Sequence, residues 1–321
     1  MSTDCVLVTG CAGFIGSATA MKLLELGYAV VGIDRMSDYY DVRIKRRNLR
    51  PLVENQRFHF VEGDLVSTDL FSLLANVSCV IHLAAQAGVR ASWGEGFAAY
   101  LSDNVLATQR LLEAIRVCRE GISRFVYASS SSVYGNAQVL PIQESAPTLP
   151  ASPYGATKLA GESLTMLYGH TFGIPVTALR YFTVYGPGQR PDMAIHRFIR
   201  NALTDSPVDV YGDVRQTRDF TYVDDVVEAN IQAMTCRGDS VVCNIGGGHQ
   251  VLLADLIDEV GLAAGRPIQW RVVGGQPGDV HDTASDCTLA RQMLGYSPAT
   301  GLHDGIAREV DWVRELIAEG M

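Results

Sequence analysis

The chain has 321 residues, 47% of them hydrophobic and 19% charged, enough to bury a large core in one double-lobed unit or two small domains. Lys and Arg total 26 against 35 Asp and Glu; the formal net charge of −9 argues against a nucleic-acid partner, because an acidic surface repels a phosphate backbone. No uninterrupted apolar run approaches the ~18 residues of a membrane span, and Met1–Cys5 lacks the basic stretch that begins a signal peptide.

The first apolar run, Cys5–Thr9, reads as a buried strand. It leads directly into Thr9-Gly10-Cys11-Ala12-Gly13-Phe14-Ile15-Gly16 and a helix predicted over Ala12–Leu26, ended by Gly27. Glycines at this junction let the backbone turn tightly and approach a pyrophosphate, which the helix N-terminus then holds. The GxxGxxG spacing is one residue longer than the usual dinucleotide fingerprint, and alone it could be only a turn. The second strand, Ala29–Ile33, ends at Asp34, 18 residues after Gly16. A carboxylate there can take both hydroxyls of an adenosine ribose and repel a 2′-phosphate, which favours NAD over NADP. Arg35 works against that preference, since an arginine can pair with such a phosphate. Alone, Asp34 could be a strand-end turn residue. The third strand, Phe58–Val61, closes on Gly63-Asp64-Leu65, where adenine would lie. A helix over Thr68–Asn76 precedes the fourth strand, Cys79–Leu83, and Ala84-Ala85 then offer room for the nicotinamide half.

A long helix is predicted over Ala99–Glu120, then a fifth strand, Phe125–Ser129, running into Ser129-Ser130-Ser131-Ser132-Val133-Tyr134-Gly135. Ser152-Pro153 announces a helix to Phe172, Gly173 ends it, and Pro175 opens the strand Val176–Leu179. The unbroken β-α-β order demands an α/β fold: a Rossmann-type doubly wound parallel sheet with right-handed crossovers and helices on both faces. Past residue 185 the rhythm loosens. Gly186–Pro191 reads as a loop, with helices over Ile195–Leu203, Val223–Met234, Leu253–Ala263 and Leu302–Ile317. This predicts a smaller C-terminal substrate lobe interleaved with the sheet. The expected division is a cofactor domain of residues 1–182 with 219–250 returning to it, and a lobe of 183–218 and 251–321. The seven cysteines are scattered without a CxxC pair, which predicts reduced thiols in the cytoplasm and no metal site.

Tyr154-Gly155-Ala156-Thr157-Lys158 lies at the start of the Ser152–Phe172 helix, and its i, i+4 spacing puts a phenol and an ammonium on one face. A phenol near pKa ~10 is a poor base at neutral pH. A neighbouring ammonium and an oxidised nicotinamide are expected to lower it, so that Tyr154 accepts a sugar hydroxyl proton while hydride leaves for the cofactor. Lys158 would also hold the nicotinamide ribose. A lone YxxxK pair is common; this one follows a dinucleotide motif and a serine cluster at a strand end, where open α/β sheets place their sites.

TGxxGFIG, GDL, HLAA, SSSSVYG, YGATK, RYFTVYGPGQRPDM, RDFTYVDD and QPGDV occur here in the order found in extended short-chain dehydrogenases acting on nucleotide sugars, and the chain resembles that family over almost its whole length. Within it the motifs IDxxxDYYD around Asp34, HLAAQAGVR at 82–90, SSSSVYG and TVYGPGQRPDM at 183–193 are most similar to those of UDP-glucuronate 4-epimerases. The resemblance implies NAD held by Gly10, Gly13, Phe14, Ile15, Gly16, Asp34, Asp64, Leu65, Leu83, Ala84, Ala85, Tyr154, Lys158 and Tyr181. It implies Ser130 as the hydroxyl partner of Tyr154, and Ser131, Ser132 and Thr183 around the substrate carboxylate. Arg190, Arg218 and Asp279 would hold the uridine diphosphate half, and Arg90 belongs to the substrate side. Arg218 beside Asp219 could instead form a structural ion pair.

All such enzymes begin by oxidising C4. Dehydratases and decarboxylating relatives usually carry an acid just after the serine or threonine, where this chain has Ser131 and Ser132. A 4-keto glucuronate is a β-keto acid, and hydroxyls that fix its carboxylate would suppress loss of carbon dioxide. Many neutral-sugar relatives resemble RYFNVYGP, with asparagine where this chain has Thr183. The implied activity is C4 epimerisation of UDP-glucuronate to UDP-galacturonate. A UDP-glucose/UDP-galactose 4-epimerase, a UDP-glucuronate decarboxylase and a non-catalytic NAD-binding sensor are the alternatives. The sensor would be expected to have lost Tyr154 or Lys158. Apolar faces on Ala99–Glu120 and Ser152–Phe172 predict a homodimer built on a four-helix bundle.

Overall fold

Short apolar runs become strands because side chains alternating up and down can be buried on both faces of a parallel sheet. In the computed structural model, which describes residues 4–118, 121–236 and 238–321, the strands are β1 (Cys5–Thr9), β2 (Ala29–Asp34), β3 (Phe58–Glu62), β4 (Cys79–His82), β5 (Arg124–Ser130), β6 (Val176–Tyr181), β7 (Thr183–Tyr185), β8 (Val208–Tyr211), β9 (Thr217–Tyr222), β10 (Val241–Ile245), β11 (Gln250–Leu252) and β12 (Trp270–Val273). Seven form one parallel sheet in the order β10-β6-β5-β4-β1-β2-β3. The order reverses beside β1, where Thr9 pairs with Ile33 on one side and His82 on the other. A crevice therefore opens at the carboxyl ends of these strands, the usual place for a ligand in such a sheet.

The helices are α1 (Phe14–Glu25), α2 (Val42–Val53), α3 (Leu70–Leu74), α4 (Phe97–Tyr100), α5 (Ala107–Val117), α6 (Pro153–Phe172), α7 (Ala194–Leu203), α8 (Val223–Thr235), α9 (Leu253–Ala264), α10 (Thr288–Leu294) and α11 (Leu302–Ala318). Val6, Val8, Ile81 and Val126 pack with Leu23 and Leu24 of α1 and Val226 and Val227 of α8. Leu7, Val80, Phe125 and Tyr127 pack on the opposite face with Leu111, Leu112 and Ile115 of α5 and Tyr168 of α6. Each large buried side chain contributes about 1.5–3 kcal/mol over an exposed position. Ser152 caps α6 by accepting from the Gly155 amide at 3.1 Å, Pro153 fills the first turn, and left-handed Gly173 ends the helix as expected.

The expected helix over Ala99–Glu120 is three pieces, α4, a π-helical stretch at Leu101–Leu106, and α5, and its expected end at Glu120 lies outside the described residues. The wider turn accompanies Asn104, whose buried side-chain amide accepts from the Gln86 amide at 2.7 Å and donates to Thr157 at 3.0 Å. The expected start of α3 at Thr68 moves to Leu70, because the Asp69 carboxylate caps the Phe71 and Ser72 amides.

Strands β11-β9-β7 form a second sheet and β12-β8 a third, with α7, α9 and α11 packed on one another. Between β9 and β11 the chain returns through α8 and β10 to the large sheet. Among the described residues no helix is long and apolar enough to cross a membrane.

Candidate active site

The glycine turn is packed too closely for side chains. A Cβ on Gly10, which has φ +71°, would lie 2.9 Å from Ala84 backbone atoms, and one on Gly16 would lie 2.1 Å from the Gly10 carbonyl oxygen. Gly13 precedes α1 without a side-chain cap, so the amides of the first turn are available to an anion. Donors and close backbone of this kind fit a dinucleotide pyrophosphate. Thr9 ties the neighbouring strand ends together: its hydroxyl accepts from the Leu83 and Ala84 amides at 3.1 and 3.0 Å and bonds His82 Nδ1 at 2.7 Å. Burial, then the charge of Lys158, push His82 down to about 3, so its imidazole stays neutral.

Asp34 is buried at the end of β2. Its Oδ2 accepts from the Ala12 amide at 3.2 Å, and its Oδ1 accepts from the Met36 amide at 2.8 Å and Lys45 Nζ at 3.4 Å. A carboxylate has about four acceptor directions, so capacity for ribose hydroxyls remains. Arg35 lines the same cleft, its guanidinium held on Asp103 and Asp64.

Every residue expected to hold the cofactor lines one cleft: Gly10, Gly13, Phe14, Ile15, Gly16, Asp34, Asp64, Leu65, Leu83, Ala84, Ala85, Tyr154, Lys158 and Tyr181. Tyr154 is half-buried, edge-on to Tyr100 with ring centroids 6.2 Å apart. Lys158 is buried, 4.7 Å above the Tyr127 ring. Burial raises the Tyr154 phenol, and the groups that oppose it are the Ser130 hydroxyl and the Arg190 charge, not Lys158. Lys158 is itself pushed down to about 7 by burial, against the attraction of Glu162.

The serines divide. Ser129 lines the cleft floor and donates to Glu162 Oε2 at 2.6 Å, while Ser130 accepts from the Ser132 amide at 3.2 Å. Glu162 is buried on α6 and holds Arg180 of β6 through contacts of 2.6 and 2.9 Å. It thereby braces the end of β5 against the helix that carries Tyr154.

On the substrate side only Arg190 and Tyr154 share the cofactor cleft. Arg190 pairs with Asp192 through contacts of 2.9 and 3.0 Å. Ser131 and Ser132 form a short turn after β5, and Thr183 begins β7. Arg90 pairs with Asp279 at 2.9 Å and stacks 3.8 Å over the Tyr211 ring, joining the loop after β4 to the C-terminal loop. Arg218 donates to the carbonyls of Thr217, Val280 and His281, and Asp219 instead accepts from the Gly247 and Ser285 amides. The alternative Arg218–Asp219 ion pair is therefore not made.

Ser37, Tyr39, Tyr40, Lys45, Gln86 and Asp103 also line the cleft and were not assigned from sequence. Tyr39, Tyr40 and Gln86 stand inside motifs already quoted. Lys45 and Asp103 sit on a charge-rich helix and on a π-helical stretch, and neither carries a local signal.

The family described as GDP-mannose 4,6 dehydratase matches residues 7–309. The uncharacterised UDP-glucose epimerase YtcB of Bacillus subtilis is 43% identical, over 97% of this chain and 98% of its own. The UDP-glucuronate 4-epimerase of Thermodesulfobacterium geofontis is 37% identical over 97% and 96%. The crystal structure of UDP-glucuronic acid 4-epimerase from Bacillus cereus, in complex with UDP-glucuronic acid and NAD, matches with a TM-score of 0.94 and 42% identity, covering 97% of this chain and 99% of that one.

Proposed function

Because the chain belongs to the GDP-mannose 4,6 dehydratase family of NAD-dependent epimerases, we propose that it is a UDP-glucuronate 4-epimerase, interconverting UDP-glucuronate and UDP-galacturonate through a transient 4-keto sugar that keeps its carboxylate. The observation that carries this reading is the meeting, in one cleft, of the glycine cradle, Tyr154 and Lys158, in a chain so similar to a UDP-glucuronate 4-epimerase.

In this reading Gly10, Gly13, Phe14, Ile15 and Gly16 hold the pyrophosphate, Asp34 the adenosine ribose, and Asp64 and Leu65 the adenine. Leu83, Ala84, Ala85 and Tyr181 line the nicotinamide half, and Lys158 holds its ribose. NAD, when bound, supplies the hydride acceptor that lets C4 be oxidised and then reduced from its other face. Ionised once the cationic nicotinamide ring offsets the effect of burial, Tyr154 would take the C4 hydroxyl proton on its phenolate oxygen and later return it, with Ser130 as hydrogen-bond partner and Arg190 as the nearby positive charge. Ser131, Ser132 and Thr183 fix the carboxylate, and Arg90, Arg190, Arg218 and Asp279 hold the uridine diphosphate side. Glu162, the carboxylate that Ser129 reaches, is taken up by Arg180 and does not serve as an acid at the sugar.

The same reading carries a cytoplasmic homodimer. Phe97, Leu101, Leu106, Val117 and Leu167, on and around α4, α5 and α6, are exposed apolar side chains that a second copy would cover, and the free cysteines suit a reducing compartment. The proposed division puts residues 1–182 and 219–250 with the cofactor and 183–218 and 251–321 with the sugar nucleotide; the return of β10 to the large sheet supports it.

Incubation with UDP-glucuronate without added NAD, followed by proton NMR, tests the activity. UDP-galacturonate without accumulating NADH is the expected result; UDP-xylose or a 4-keto pentose would refute the protective role of the hydroxyls. The likeness to the Bacillus subtilis UDP-glucose epimerase supports a neutral-sugar reading as the alternative. Turnover of UDP-galactose but not UDP-glucuronate would establish that instead.

A further inference from the structure

Two basic side chains stand at the end of β2 where a phosphorylated adenosine ribose would arrive, and both are already engaged. Lys45 Nζ lies 3.4 Å from Asp34 Oδ1 and 3.1 Å from the Ser37 hydroxyl. Arg35 is held by a two-pronged contact, Nη1 to Asp103 Oδ1 at 2.8 Å and Nη2 to Asp103 Oδ2 at 2.6 Å, with Asp64 Oδ2 3.4 Å from Nη1. The Asp103 side chain is only 11% exposed, so this is a partly desolvated fork and not a loose surface pair. Its position comes from the π-helical stretch, where the neighbouring Asn104 is anchored to Gln86 and Thr157.

Asp34, Asp64 and Asp103 all line the cleft, and together they outnumber Arg35 and Lys45. A 2′-phosphate would bring about two further negative charges into this end. It could be accommodated if Arg35 swung round, but that would strip a half-buried carboxylate of its partner.

Resting on the reading of the cleft as a dinucleotide site, we propose that Asp103 is a cofactor-specificity residue: by holding the Arg35 guanidinium it withholds from a 2′-phosphate the fork-shaped cation it needs, and so keeps the site selective for NAD over NADP. Asp34 rejects the phosphate directly; Asp103 acts through Arg35.

The test is exchange and recovery of nucleotide. Wild-type protein and the variants D103N, R35A and R35A/D103N are dialysed against equal saturating NAD and NADP, desalted and denatured, and the released nucleotides are separated by chromatography. Wild type and R35A should release chiefly NAD. D103N should show a ratio of NADP to NAD raised at least about tenfold, the worth of one charge-assisted hydrogen bond, and R35A/D103N should fall back to the wild-type ratio. An unchanged ratio in D103N overturns the proposal, as does a raised ratio that persists in the double variant. R35A admitting NADP as D103N does would assign the effect to the loss of the pair's packing, and the proposal fails there too. Wild type that takes up neither nucleotide would remove the dinucleotide reading itself, and this inference with it.

Discussion

Replacing Lys158 with methionine should make the nucleotide-free protein more stable at neutral pH while ending turnover. The amine, carried by α6 and buried over the Tyr127 ring, has a folded value of about 7 against an ordinary 10.5. That gap corresponds to about 5 kcal/mol at about 1.4 kcal/mol per pH unit. Between the two values the unfolded chain binds more protons than the folded one, so stability rises with pH across that window. The cost of burying the ammonium is therefore in full force below about pH 7 and vanishes above about 10.5. Methionine loses the contact with the Tyr127 ring, worth about 1–2 kcal/mol, leaving a net gain of about 3–4 kcal/mol at about pH 6.5. By about pH 9.5 the same arithmetic removes about 3 kcal/mol of that gain, bringing the variant within about 1 kcal/mol of wild type. Urea unfolding of both proteins at the two pH values measures the difference. A gain that is missing at the lower pH, or equal at both, would show that burial does not strain this lysine.

Tyr154→Phe should lower kcat by about 10²–10⁴ with little change in thermal unfolding, and steady-state kinetics beside a melting curve would separate the two. Glu162→Ala should cost about 3–5 kcal/mol in urea unfolding, because it leaves the guanidinium of Arg180 buried without its carboxylate; a loss below 1 kcal/mol would contradict the bracing described for β5. Leu106→Asp together with Leu167→Asp should convert the proposed dimer to monomer in sedimentation equilibrium, and a wild type that already sediments as a monomer would remove the dimer from the reading.

What could be read from sequence is what local chemistry determines. The glycine turn, the Ser152-Pro153 start of α6 and the alternation of short apolar runs each have a cause within a few residues, and the large sheet formed as expected. The charge-rich Val42–Val53, with Pro51 in its last turn, hid α2 and so Lys45. Asp103 falls within the helix expected over Ala99–Glu120, and nothing nearby in sequence signals the π-helical widening. Spacing puts Lys158 on the same helical face as Tyr154 but says nothing of what burial does to either group, raising the phenol and lowering the amine. The partnership of Glu162 with Arg180 and Ser129 joins a helix to two strands, and only the folded chain makes it visible.

The place of β10 in the large sheet has a consequence for synthesis. β6 is buried along its whole length between β5 and β10. While residues 241–245 are still inside the ribosome, that strand presents an open row of amide and carbonyl groups flanked by apolar side chains, an invitation to pairing with other chains. A fragment ending at residue 182 would keep this exposed edge permanently, and it should aggregate instead of yielding a free cofactor-binding unit. The last strand of the sheet is thus also its seal, and the nascent chain depends on residues 183–240 being made before the seal arrives.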